Sequence, residues 1–408
     1  MATTQETFVI VGGGQAGAWA LKTLRQGGFD GRLVLVGAET HPPYERPPLS
    51  KQFLSGETNR ESTYVFPEKA YDELAIELRL GVQVTALDIP ESRIEMGDGT
   101  ALRYDRLLLA TGGVPRTIAL PGATLDNVLY LRSIEDSLAL RNQLTPSNHL
   151  LIVGGGWIGL EVAATARKLG AKVTLVEYAP RLCSRVVPPA VSHLLYALHR
   201  DNGVEIVLNA RLTALEGAGR VERARFADGQ QLDVSAVIVG IGLQPSTQLA
   251  DRAGLAVDNG IVVDDLWQTS HANLFAAGDV ANFRTASGKR MRLESWDNAQ
   301  KQGIAAANGM LGKSTKPDPF PWFWSDQYDR NIQLVGEFED CDETIDLGEN
   351  SPRSGTSLFL RRGQIVGVVA VNSGRNIRLV KRIMQSGQPI DVRMLAQSKL
   401  PLQEALKA

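Results

Sequence analysis

Cysteine is nearly absent from this chain: two residues in 408, Cys183 and Cys341. Two thiols cannot supply the four ligands of an iron–sulfur cluster or a structural zinc site. They stand far apart in sequence, so there is no CxxC redox pair, and such sparse use fits a reducing compartment; a cytoplasmic protein is expected. Histidine is scarce as well. The five (His41, His149, His193, His199 and His271) show no metal-ligand spacing and read as structural, so no metal site is expected and nothing suggests a Ser/His/Asp hydrolase. An excess of positive charge is also missing. Lys plus Arg number 43 against 45 Asp plus Glu, a net charge of −2, which argues against nucleic acid as a partner. No stretch reaches the roughly 18 uninterrupted apolar residues of a membrane helix, so no membrane span is expected. The opening MATTQETFVIVGGG lacks a basic region followed by an apolar core, and it does not read as a signal peptide. What remains is a globular balance, 43% hydrophobic and 22% charged. At roughly 150 residues per domain it predicts two or three domains.

Glycine, by contrast, is abundant, with 40 residues, and many follow apolar runs. Residues 8–39 read FVIVGGGQAGAWALKTLRQGGFDGRLVLVGAE, and residues 150–177 read LLIVGGGWIGLEVAATARKLGAKVTLVE. Each is an apolar run, a GxGxxG, an Ala/Leu-rich helical stretch, a turn, a second apolar run and an acidic residue. This is a βαβ unit written twice, and each copy predicts a parallel sheet that binds a nucleotide beyond its first strand. In such a loop the first glycine makes the turn, the second admits a pyrophosphate and the third packs helix on strand. The residues are Gly12, Gly14 and Gly17, then Gly154, Gly156 and Gly159. Glu39 and Glu177 stand where an acidic side chain would bond ribose hydroxyls. Glu177 ends its strand directly, which favours a free 2′-hydroxyl and hence NADH over NADPH. Arg181 and Arg185 nearby pull the other way, and read more simply as solvated charges. Two dinucleotide sites in one chain point to electron traffic between flavin and nicotinamide, without saying which binds where.

Further along, YDRLLLATGG (104–113) has a partner in VSAVIVGIGLQPS (234–246), and NLFAAGDVANF (273–283) reads as a short strand ending at Gly278-Asp279. From about Pro317 the pattern changes: aromatics and prolines, then segments that read as antiparallel strands, then a basic helix in SGRNIRLVKRIMQSG.

Taken in order, VGGGQAG, PYERPPLSK (43–51), LLLATGG, VGGGWIGLE and FAAGDV resemble the two-dinucleotide-fold flavoprotein disulfide reductases. PYERPPLSK, ESWDNAQ (294–300) and PWFWSDQYD (321–329) narrow the resemblance to the FAD-dependent NADH:ferredoxin reductases of bacterial Rieske-type dioxygenase and P450 systems. The resemblance implies an α/β fold with two Rossmann-like domains, glutathione-reductase-like, plus a C-terminal α+β interface domain. FAD would take 1–111 with 242–320, NADH would take 112–241, and the interface domain would be 321–408. The implied partner is a [2Fe–2S] ferredoxin, Rieske or adrenodoxin-like. Disulfide-reducing relatives carry a redox cysteine near the first helix or near positions 40–45. None stands there in this sequence, so electrons would leave the flavin directly.

The same resemblance assigns roles. Lys51 and Glu161 would form an ion pair on the nicotinamide side of the flavin, with Glu161 on the first turn of the second Rossmann helix. Arg46 would reach the FAD pyrophosphate, and Asp279 a ribitol hydroxyl. Ala110, Thr111, Gly112, Ser295, Trp296 and Trp324 would complete the FAD set, with Glu294 nearby. A helix starting near Asp297 would turn its positive end to the reduced flavin. Ile158, Arg185 and Gly242 would join the NAD set. Trp322 with Arg375, Arg378, Lys381 and Arg382 would dock the ferredoxin. For the tryptophans ordinary core packing is the alternative, and for the basic run a solvated face. A rubredoxin reductase or an NADH oxidase on the same scaffold, or a redox-sensing protein like apoptosis-inducing factor, are the competing functions.

Overall fold

The chain, described from a computed structural model over residues 5–285, 288–315, 318, 320–351 and 354–386, divides into two compact units. One holds Met1–Pro47, Asn59–Val114 and Leu243–Pro319; the other holds Pro48–Thr58, Pro115–Gly242 and Phe320–Ala408. The last part of the expected interface domain, 387–408, lies outside the described residues.

In the first unit five parallel strands run in the order Leu274–Ala276, Arg106–Leu109, Thr7–Val11, Arg32–Gly37 and Ile76–Leu80. The central strand is buried from Phe8 to Val11, which explains why it reads as a continuous apolar run rather than an alternating one. The helix Gln15–Gln26 follows it and buries Ala16, Gly17, Ala18, Ala20, Leu21 and Leu24. These small residues let a second helix, Trp296–Met310, come close: a Cβ on Gly303 would strike the Ala16 carbonyl. Within the segment 273–283 the short strand is Leu274–Ala276, which stops before Gly278 at φ +83°, and a second strand, Ala281–Arg284, follows the turn.

The second unit repeats the plan. Five parallel strands run Glu205–Leu208, Lys172–Glu177, His149–Val153, Ala236–Val239 and Val128–Leu129. The repeat extends beyond the βαβ unit. In each unit a three-stranded antiparallel sheet precedes the strand that pairs with the first: Val84–Asp88, Arg93–Met96 and Ala101–Arg103 in one, Leu212–Glu216, Arg223–Phe226 and Gln231–Asp233 in the other. The second unit also carries the C-terminal sheet. Its five strands are antiparallel, in the order Trp322–Gln327, Arg330–Gly336, Gln364–Val371, Ser354–Arg361 and Glu343–Ser351, with the basic helix Gly374–Ser386 against it. Ile332, Leu334, Phe359, Val369 and Val371 share one buried cluster with Leu150, Ile152, Leu160 and Val173, so the C-terminal sheet and the second Rossmann fold have a common core. Each such side chain, fully buried, contributes about 1.5–3 kcal/mol.

Candidate functional site

The two glycine loops divide their labour as the motif requires. Gly12 and Gly154 have φ of +119° and +109°, and a Cβ on either would strike a carbonyl, that of Ala110 or Gly240. Only glycine serves at these turns. A Cβ on Gly17 or Gly159 would hit the carbonyl of Gly12 or Gly154, so the third glycine is fixed by backbone packing. The middle glycines differ: nothing lies within 4 Å of a Cβ on Gly14, and only Gly240 O, at 3.9 Å, near one on Gly156. Open space there is what an approaching pyrophosphate needs. Gly14 and Gly156 are also the N-caps of helices Gln15–Gln26 and Trp157–Lys168, and neither helix has a side-chain cap or an acidic residue in its first turn. The helix Ile134–Arg141 shows the contrast, with a full capping box from Ser133 and Asp136. The Rossmann helices thus begin without a side-chain cap, which leaves their first N–H groups and positive ends available to an anion. Both loops fit a dinucleotide.

Most of the other candidates for the first dinucleotide lie in the first unit. Arg46 Nη2 pairs with Glu39 Oε1 at 2.6 Å, and the Tyr44 hydroxyl joins both side chains. Burial works to lower the Arg46 guanidinium, but Tyr44, the Glu39 carboxylate bonded to it and Asp279 outweigh burial and raise it. Ala110, Thr111 and Gly112 follow the strand Arg106–Leu109, with Thr111 Oγ1 donating to Ser246 O at 2.9 Å. Asp279 lies just past Gly278, whose N–H donates to Gln302 Oε1 at 2.8 Å. Ser295 caps the helix Trp296–Met310, accepting from Asn298 N at 3.2 Å, and Asp297 in its first turn pairs with Lys301 at 2.5 Å. With its amide oxygen turned toward them, Gln15 accepts from Trp19 Nε1 and Trp296 Nε1, each at 3.1 Å. Glu294 pairs with Arg292 at 2.6 Å.

In the second unit Glu177 folds onto the loop beside it. Its Oε2 accepts from Gly155 N at 2.6 Å and its Oε1 from Ala179 N at 2.7 Å. The two nearby arginines separate. Arg181 is consumed internally by Val187 O, Ser184 O and Ser192 Oγ, whereas Arg185 is exposed, and a Cβ on Gly242 would lie 3.4 Å from its Nη2. Ile158 is exposed at the N-terminus of its helix.

Lys51 and Glu161 come together. Lys51 Nζ donates to Glu161 Oε2 at 2.8 Å, with side-chain exposures of 10% and 3%. The segment carrying Lys51 is held by its neighbours: Ser137 Oγ donates to Leu49 O, Thr165 Oγ1 to Ser50 O, and Arg141 to Phe53 O and Leu54 O. Glu161 does not lie on the first helical turn. The helix begins at Trp157, so Glu161 opens the second turn, beyond the reach of the helix end. Its charge is balanced by Lys51 and by two hydroxyls, Ser50 Oγ at 2.5 Å from Oε2 and Ser325 Oγ at 2.6 Å from Oε1. A cation and two further donors are the partners that a buried carboxylate needs to offset its desolvation.

Trp322 and Trp324, on one face of their strand, stack with centroids 5.0 Å apart and planes 13° from parallel; Trp324 Nε1 donates to Asp326 Oδ2 at 3.1 Å. On the helix Gly374–Ser386, Ile377 and Val380 are buried while Arg375, Arg378 and Arg382 are exposed; Lys381 is half-buried.

Several side chains at these sites carry no signal in the sequence. Ser50 and Ser325 sit inside PYERPPLSK and PWFWSDQYD, yet nothing local says that two serines, 111 and 164 positions from Glu161, turn their hydroxyls to it. Gln15, Tyr44 and Gln302 are likewise invisible until the fold brings their partners. Among the described residues no cluster of three or more His, Cys, Asp or Glu could hold a metal, and no helix is long and apolar enough to cross a membrane.

Comparison with known proteins agrees with this architecture. Residues 6–303 match the family "Pyridine nucleotide-disulphide oxidoreductase", and residues 322–406 match "Reductase C-terminal". Putidaredoxin reductase CamA of Pseudomonas putida is 38% identical, over 99% of this chain and 97% of its own. The ferredoxin–NAD(+) reductase component of the anthranilate 1,2-dioxygenase system of Burkholderia cepacia is also 38% identical, over 98% and 99%. The reductase in the crystal structure of the covalent putidaredoxin reductase–putidaredoxin complex superposes with a TM-score of 0.94, covering 99% of both chains at 38% identity. The chain belongs to the pyridine nucleotide-disulphide oxidoreductases, and within them it is similar along its whole length to the ferredoxin–NAD(+) reductases.

Proposed function

We propose that this chain is a flavoprotein reductase that passes electrons from NADH through FAD to a [2Fe–2S] ferredoxin, Rieske or adrenodoxin-like, which feeds a ring-hydroxylating dioxygenase or a P450 oxygenase. The observation that carries this reading is the full-length likeness to reductases named for putidaredoxin and for dioxygenase systems. FAD supplies the chemistry that no side chain offers, accepting a hydride and releasing electrons singly. The residues of the chain bind, orient and compensate charge.

In this reading the first loop holds FAD. Gly12, Gly14 and Gly17 admit its pyrophosphate, Arg46 bonds a phosphate bidentately, Glu39 takes the ribose and Asp279 a ribitol hydroxyl. Ala110, Thr111, Gly112, Ser295, Trp296 and Trp324 complete the set. The second loop holds NADH, with Glu177 on the ribose hydroxyls and Ile158, Glu161, Arg185 and Gly242 alongside. Lys51 and Glu161 serve the hydride step. The functional divisions are 1–111 with 242–320 for FAD, 112–241 for NADH and 321–408 for the interface, with 48–58 structurally part of the second unit. Two free thiols suit a reducing interior, and we place the protein in the cytoplasm. Asp279→Ala is expected to purify largely colourless; a full flavin absorbance spectrum would remove Asp279 from the site.

Trp322 and the basic helix form the docking surface. Three exposed arginines at spacings of three and four draw an acidic partner and raise its on-rate. The test is NADH oxidation by the purified protein with and without a [2Fe–2S] ferredoxin. A low rate alone, rising at least about tenfold with ferredoxin, is expected. A rate already fast in air and unmoved by ferredoxin would mean an oxidase and end this reading. Arg378→Glu with Arg382→Glu should then lower kcat/KM for ferredoxin about tenfold at low salt and flatten its salt dependence. An unchanged salt slope would take the helix out of the interface.

A further inference from the structure

Buried polar side chains must find partners, and four of them here find one another in single file. Ser325 Oγ lies 2.6 Å from Glu161 Oε1. Gln327 Nε2 lies 3.0 Å from Ser325 Oγ, and His199 Nε2 lies 2.8 Å from Gln327 Oε1. Tyr328 closes the row, its hydroxyl 3.2 Å from His199 Nδ1. Glu161, Ser325, Gln327 and His199 are all buried. Ser325 and Gln327 alternate on the strand Trp322–Gln327 and so share a face. His199 comes from the last turn of the helix Pro189–Asp201.

The row has only one direction. A carboxylate accepts and never donates, so Glu161, ionised beside Lys51, makes the Ser325 hydroxyl a donor. That uses the one hydroxyl hydrogen, and Ser325 must accept from Gln327. The Gln327 carbonyl then faces His199, which must carry its proton on Nε2. Nδ1 is left as an acceptor, and Tyr328 donates to it. Every bond in the row points at Glu161. The neutral imidazole this requires agrees with burial, which pushes His199 down to about 4. An amide in the middle does not hand a proton on, so the row orients groups and conducts nothing.

We propose that Ser325 is a positioning residue for the reaction with NADH: backed by Gln327, His199 and Tyr328, it holds the Glu161 carboxylate aimed, with Oε2 on Lys51. This rests on the reading that Lys51 and Glu161 serve the hydride step. Removing a hydrogen bond to a charged group should cost about tenfold in rate.

The test uses the FAD-loaded protein in anaerobic stopped flow. Ser325→Ala should lower the limiting rate of flavin reduction about tenfold with the Kd for NADH unchanged, and Ser325→Thr should restore it. On a Glu161→Ala background, Ser325→Ala should have no further effect. A second readout needs no turnover. In the oxidised protein labelled with ¹⁵N-histidine, His199 should be neutral with its proton on Nε2 near neutral pH. A proton on Nδ1 would overturn the proposal, because the row would then run the other way and Ser325 would donate to Gln327. A slow Glu161→Ala beside a Ser325→Ala at the parent rate would also overturn it, as would an undiminished loss on the Glu161→Ala background. A Glu161→Ala at the parent rate would instead defeat the ion-pair reading on which it rests.

Discussion

Glu161→Ala is expected to slow the reduction of bound flavin by NADH at least about a hundredfold, and to lower the melting temperature by roughly 10 °C. Both effects have one origin. Lys51 is 10% exposed and its charge is matched by Glu161 at 2.8 Å. Taking away one partner of a buried ion pair costs about 3–5 kcal/mol, and each kcal/mol is worth about 2–4 °C in a unit of this size. Stability and catalysis separate in the double variant Lys51→Met with Glu161→Gln. It removes both charges, keeps the volume, and leaves an amide to pair with Ser50 and Ser325. That variant should recover most of the melting temperature and none of the rate. Stopped flow beside differential scanning calorimetry decides it. A double variant that reduces its flavin at the parent rate would show that the pair holds the fold together and does no more.

The second large effect concerns the middle glycines. Gly14→Ala should yield folded, colourless protein, and Gly156→Ala a yellow protein that binds NADH at least about a hundredfold more weakly. Neither substitution troubles the backbone, since φ is −97° at Gly14 and −82° at Gly156, within the range any residue adopts. Neither meets a close neighbour: the nearest atom to a Cβ on Gly156 is 3.9 Å away. What the methyl group occupies is the space through which phosphate oxygens reach the N–H groups of an uncapped helix, and losing two such charge-assisted bonds accounts for the magnitude. Gly17→Ala and Gly159→Ala drive a Cβ into a carbonyl and should fail earlier, by not folding. Flavin content, NADH titration and circular dichroism on the four variants settle the matter. A yellow, tightly binding Gly14→Ala would refute the loop assignment.

These contrasts show how far the sequence can be read. The two βαβ units were legible because a parallel strand covered on both faces must be apolar throughout, and because the turn at Gly12 or Gly154 admits no other residue. The basic helix and the antiparallel strands after Trp322 were legible from periodicity for the same kind of reason. Glu161 was legible only by resemblance, and one turn out of place, since helix starts are set by caps and a glycine N-cap leaves no side-chain mark. Ser325 was not legible at all. A serine hydroxyl has no pattern, and its partner lies on a helix 164 residues earlier. The same holds for Ser50, Gln15 and His199. Local chemistry writes strands, helices and turns into the sequence, whereas buried polar networks depend on which distant elements the core brings into register.

The shared core of the second Rossmann fold and the C-terminal sheet also has a consequence for synthesis. Ser325 leaves the ribosome 164 residues after Glu161, so at about 5–20 residues per second the two are separated by roughly ten to thirty seconds. Once its last strand, Ala236–Val239, has emerged, the second sheet waits without Ile332, Leu334, Phe359, Val369 and Val371 to cover it, and Trp157 without Phe323, the ring 4.9 Å away in the finished protein. The nascent chain therefore presents a half-built apolar surface until its C-terminal strands arrive. Shielding that surface falls to chaperones or to speed, and a chain that stops short of the last sheet carries an adhesive face for as long as it lasts.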